Sequence, residues 1–160
     1  MKKILLVVTF FVTAFAQNSF AQDSATTSQS PQILSLYYNI KDVLVAGNAS
    51  TAASNAEAFV KAVNGIDYKL ISEGNINTLV KDGTAISQTK DLKEQRMHFA
   101  NLSTNILAVA KALKLTDQPV YQAFCPMKKA YWLSSDKTIK SPYFGSAMLT
   151  CGKVVETLNQ

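Results

Sequence analysis

The sequence predicts a mainly α-helical fold: an antiparallel bundle of about four helices, then a short C-terminal β-hairpin or extended segment and a last short helix. Three observations carry this. Apolar residues recur at helical spacing from Ile33 to Leu113. The run after Asp91 keeps that spacing for several turns without proline or glycine. Past Pro119 the pattern turns β-branched and aromatic.

The chain opens with a leader. Met1-Lys2-Lys3 is a basic start, and Ile4 to Ala16 is an apolar stretch too short to span a bilayer comfortably. Ser19-Phe20-Ala21 places small residues where a signal peptidase needs them, so residues 1–21 read as a signal peptide. Cleavage after Ala16 is the alternative. No later apolar run is long enough to cross a membrane. The mature chain is therefore expected to be periplasmic or secreted. Residues 22–30 are rich in Ser, Thr and Gln and read as a flexible N-terminus. One helical-bundle domain, 31–160, follows.

Pro31 suits a first helical turn, and Ile33, Leu36/Tyr37, Ile40 and Val43/Leu44 make the first apolar face, stopped by Gly47. Asn48 or Ser50 can cap the second helix, whose face runs through Ala52, Ala56, Phe59, Val63 and Ile66. A third, weaker helix carries Ile76, Leu79/Val80 and Ile86, and Gly83 is expected to interrupt it. The fourth is the clearest. Asp91 to Glu94 reads as a capping box, Leu92, Phe99, Ile106 and Leu113 form one seam row, and Gln95, Leu102 and Val109 form another. Val120 to Phe124 and Ala130 to Leu133 are the expected hairpin strands. A last helix is expected from about Gly145, through Met148 towards Leu158, with Gly152 able to end it early.

The formal charge of +5 falls to +3 when the leader takes Lys2 and Lys3 with it. That is too small and too scattered to argue for nucleic acid. With one histidine, no Ser/His/Asp set can be assembled, and no glycine-rich phosphate loop is present. These absences disfavour an enzyme.

The unusual chemistry is sulfur. Cys125 and Cys151 are the only cysteines, and Met127 and Met148 lie close to them in sequence. In an extended strand Cys125 and Met127 share a side, and on a helix Met148 and Cys151 share a face. Thiolate with thioether is a donor set that selects Cu(I) and related soft ions. A Cys125–Cys151 disulfide is also open, because an exported pair meets an oxidising compartment, and so are two unpaired buried thiols. The spacing is neither a four-ligand zinc pattern nor a Cys-x-x-Cys redox motif. His98 flanks the fourth seam. Tyr131, Trp132, Tyr143 and Phe144 surround the sulfurs in sequence, as a local core or as a dry wall.

Several segments resemble one bacterial family of unknown function, the domain numbered 3347. They are Tyr38 to Asp42 with Leu44-Val45, Gln95 to Phe99 with Leu102-Ser103, Tyr121 to Met127, Trp132 to Ser134, and Ile139 through Pro142-Tyr143-Phe144-Gly145 to Met148-Leu149 and Cys151-Gly152. The likeness runs through nearly the whole mature chain. Ser141 stands where the family pattern has asparagine. The resemblance implies a helical bundle associated with heavy-metal efflux, since similar domains are attached to periplasmic adaptor subunits of such pumps. The Cys-Pro-Met…Met…Cys-Gly order is also similar to short heavy-metal-binding modules, which usually carry histidine where this chain has Lys128.

The expected function is that of an exported, non-enzymatic accessory protein that holds Cu(I) or Ag(I) for an efflux partner. Cys125, Met127, Met148 and Cys151 are the expected ligands, His98 is a further candidate, and Trp132, Tyr143 and Phe144 form the wall. The alternative is a disulfide-clasped envelope interaction module with no metal.

Overall fold

The computed structural model describes residues 23–159, so the expected signal peptide, 1–21, lies outside the described residues. Four helices come first: α1 (Asp23–Ala46), α2 (Ala49–Asn64), α3 (Glu73–Ser87) and α4 (Leu92–Ala112). Three strands follow: β1 (Val120–Cys125), β2 (Ala130–Ser134) and β3 (Lys153–Leu158), with a 3₁₀ turn (Gly145–Met148) before the last. The mainly α expectation holds. Among the described residues no helix is long and apolar enough to cross a membrane.

The helices form where the apolar spacing requires them, with two corrections. The backbone of α1 is helical from Asp23, earlier than the start expected at Pro31. Adding turns to an existing helix is far easier than nucleating one, and residues 24–30 contain no glycine or proline to stop it. Pro31 then sits inside the helix, where it has no N–H to donate to the preceding turn. Gly83 does not interrupt α3. It is buried, and a Cβ built there would lie 2.8 Å from Val60 Cγ2 and 3.1 Å from Phe59 Cδ1. The missing side chain is what lets α3 close on α2.

The caps explain the boundaries. Gly47, at φ 75°, ends α1. Its N–H donates to Leu44 O, and that of Asn48 donates to Val43 O, the paired bonds of a left-handed helix stop. Asn48 then accepts from Thr51 N at 3.0 Å to start α2. Asp91 Oδ1 accepts from the N–H groups of Lys93 and Glu94. The return arm of the expected capping box goes elsewhere: Glu94 accepts from the Thr89 hydroxyl, which in turn accepts from Asp91 N. Phe99, Leu102, Ile106 and Val109 are buried, as both seam rows require.

The sheet has the order β2-β1-β3, and both pairings of the central strand β1 are antiparallel. The hairpin is as expected. The last helix is not: Lys153–Leu158 is a strand. Val154, Val155 and Thr157 are β-branched, and Gly152 (φ 140°) breaks any continuation from the 3₁₀ turn. The outer edge of β2 faces the bundle. Leu133 N–H donates to Tyr37 Oη at 3.1 Å, Tyr143 Oη donates to Tyr131 O, and Tyr37 Oη also bonds Ser103 Oγ on α4 at 2.7 Å. Two phenols thus satisfy an edge that otherwise offers open backbone groups. The pairing of β3 shifts register opposite Gln122 and Ala123, a bulge that blunts the other edge.

Candidate functional site

Cys125 ends β1, and Cys151 lies just before β3. The register that pairs Phe124 with Lys153 brings the two cysteine Cα atoms to 5.4 Å, and their sulfurs are bonded. Of the three states open from sequence, the structure has the disulfide, and no cysteine is free. The bond fastens an edge strand to the central strand of its own sheet.

The two sulfurs differ in surroundings. Cys125 is fully buried in the core, whereas Cys151 is part-exposed and lines an open depression of about 450 Å³. Pro126, Met127, Met148 and Thr150 line it too. The methionines therefore gather beside the bond, but not by the route expected. Met127 is not on the strand face of Cys125: β1 ends at Cys125, and Met127 sits 68% exposed on the hairpin turn. That turn closes through Lys129 N–H to Cys125 O at 2.8 Å, and Lys128 N–H points at Cys125 Sγ at 3.4 Å. Met148 and Cys151 are not on one α-helix, because the 3₁₀ turn ends at Met148.

Two of the three expected wall residues lie in the core. Trp132 and Tyr143 are buried and meet edge to face at 6.0 Å. Trp132 lies against the Gly152 backbone so closely that a Cβ there would sit 2.6 Å from the indole. Phe144 is part-buried and precedes the 3₁₀ turn. The row continues into the bundle, Tyr143 to Phe99 at 6.2 Å and Phe99 stacked on Tyr37 at 5.1 Å. Burial pushes the Tyr37, Tyr38 and Tyr143 phenols well above their ordinary range; Tyr37 and Tyr143 serve as neutral hydrogen-bonding groups, whereas the buried Tyr38 hydroxyl has no hydrogen-bond partner among the described residues.

His98 is not among the residues that line the sulfur depression. It lies close enough to Asp82 on α3 for its charge to act on that carboxyl. Asp82 accepts from Asn105 at 2.6 Å, and burial raises its pKa despite the opposing pull of Asn105, Lys81 and His98. Among the described residues, no three His, Cys, Asp or Glu side chains converge as a metal site. Tested against a soft ion, the expected donor set does not fit in this bonded form. Both thiolates are spent in the disulfide, and thioethers alone are not the thiolate–thioether set.

Three side chains that tie the molecule together carried no site expectation. Tyr37 is described above. Gln95, an expected seam residue, is fully buried and donates its amide to Ala49 O at 2.9 Å and Thr89 O at 2.8 Å. Arg96 donates to Leu44 O at 2.9 Å, where the C-terminal carbonyls of α1 favour a cation. The loop crosses Arg96 at Gly145, where a Cβ would lie 2.5 Å from the guanidinium. The signal was available, since Gln95 stands in a seam row and opens, with Arg96, the resembling block through Phe99. Ser141 is buried and donates its N–H to Leu149 O, closing the loop around the 3₁₀ turn.

No curated protein and no solved structure matches the chain. A family model described as "Protein of unknown function (DUF3347)" matches residues 33–118. That span is more than half the chain, and it is the bundle from the first buried turn of α1 to the loop after α4; the clasped sheet follows it. On this match the chain belongs to the DUF3347 family.

Proposed function

We propose that this is an exported, non-enzymatic module of the cell envelope, in which a disulfide-clasped sheet is presented by a helical bundle to a partner protein. The disulfide carries the reading. A bond between the only two cysteines persists in an oxidising compartment and not in a reducing one. The leader read from residues 1–21 agrees with it. Export explains the bond, and the bond supplies rigidity to a small sheet whose exposed rim holds Met127, Leu149 and Val155. The test is to express the chain with its own leader, block free thiols before lysis, and weigh the product. A periplasmic protein of cleaved mass with no alkylated cysteine supports the proposal. A cytoplasmic product with two blocked thiols refutes it.

A second reading keeps the soft-ion cargo. It is favoured by one observation: Met127, Met148 and Cys151 share one depression. In this reading reduction frees the thiols, the chain takes Cu(I) or Ag(I), and an efflux adaptor of the kind the family resemblance implies receives it. Cu(I) titration of reduced and oxidised protein decides. Saturable binding confined to the reduced form, and lost in the Cys125→Ser/Cys151→Ser double variant, supports it; equal binding by all three removes it.

A further inference from the structure

We infer that the disulfide is polarised for thiol exchange: Cys151 Sγ is the sulfur that an incoming thiolate attacks, and Cys125 is the sulfur that leaves. The inference rests on the clasp proposed above and adds a site of covalent reaction to it. Two observations converge. Cys151 opens onto the depression, whereas Cys125 is fully buried and does not line it. Lys128 N–H points at Cys125 Sγ and so stabilises negative charge on that atom. A hydrogen bond to the departing thiolate offsets part of what burial costs it, and a better leaving group speeds exchange.

The step balances without any further reagent. A thiolate from a small thiol, or from the reduced cysteine of a thiol–disulfide oxidoreductase, approaches Cys151 Sγ from the depression, in line with the existing bond. A new S–S bond forms between the incoming sulfur and Cys151 as the Cys125–Cys151 bond breaks. The electron pair leaves on Cys125 Sγ as a thiolate held by Lys128 N–H. There is no net redox change, and the protein ends as a mixed disulfide through Cys151 with one thiolate at Cys125. The thioethers of Met127 and Met148 form an apolar seat for the group that carries the incoming sulfur.

The experiment uses the oxidised chain with glutathione as the probe. Brief exposure is followed by acid quench, alkylation with N-ethylmaleimide and peptide mapping. Glutathione on Cys151 with the maleimide on Cys125, in an excess of about tenfold or more over the reverse pattern, is the expected result. Equal labelling, or glutathione mainly on Cys125, overturns the inference while leaving the clasp in place. Two thiols already alkylated before glutathione is added defeat the clasp itself, so the two failures are distinguishable. Single variants give a second readout. The thiol left in Cys125→Ser is expected to alkylate quickly and the one left in Cys151→Ser slowly. Comparable rates overturn the assignment.

Discussion

Tyr37 makes the sheet and the bundle depend on one hydroxyl. It is fully buried, shares a hydrogen bond with Ser103 and accepts from Leu133 N. Phenylalanine keeps the ring stacked on Phe99 but strands a backbone donor, which costs about 1–3 kcal/mol. Urea unfolding of Tyr37→Phe should show that loss. Gly83→Ala is expected to lose about 1–3 kcal/mol in the same assay, because its Cβ would meet Val60 and the fully buried Phe59 too closely and force them to shift. Asp82 makes stability depend on pH. Burial raises its pKa, so the folded state holds the proton more tightly than the unfolded state does. Its contribution to folding therefore improves as pH falls through the window from the raised folded value to the ordinary carboxylate value, and is a cost above that window. Asp82→Asn keeps an oxygen acceptor for Asn105 and removes the titration. Denaturation midpoints across acidic pH should change less in the variant than in the parent; identical profiles would show that the charge of Asp82 is not desolvated.

The helices were legible in the sequence because their signals were local. Spacing marked the buried faces, and Gly47, Asn48 and Asp91 marked boundaries that the hydrogen bonds confirm. Gly83 was misread because propensity says glycine weakens a helix, whereas packing decides what a buried glycine is for. The last strand was misread for a related reason. Met148 to Leu158 has no strong alternation, and its pairing with β1 joins segments far apart in the chain, which local spacing does not express. The clasp closes a loop across a sequence separation of 26, which on chain-entropy grounds is worth about 3–4 kcal/mol. The Cys125→Ser/Cys151→Ser variant should lose about that much in denaturant titration. A loss near zero would mean that the sheet needs no clasp.

At the scale of the molecule, a four-helix bundle carries a three-stranded sheet by its edge, through tyrosine hydroxyls and the aromatic row from Tyr37 to Trp132. The family match lies on the bundle, and the reactive bond lies on the sheet. The sulfur cluster was half legible. Its residues were visible by type, and they do gather, but their arrangement rests on a turn and a 3₁₀ segment that side-chain periodicity cannot express. His98 stands apart from them, outside the depression that the methionines and Cys151 line. Hydrogen–deuterium exchange on the oxidised and reduced chain tests the central claim most directly. On reduction, β3 and the 3₁₀ turn should lose protection while α4 keeps its own. Unchanged protection in β3, or collapse of the whole bundle with it, would contradict a bond that clasps the sheet alone.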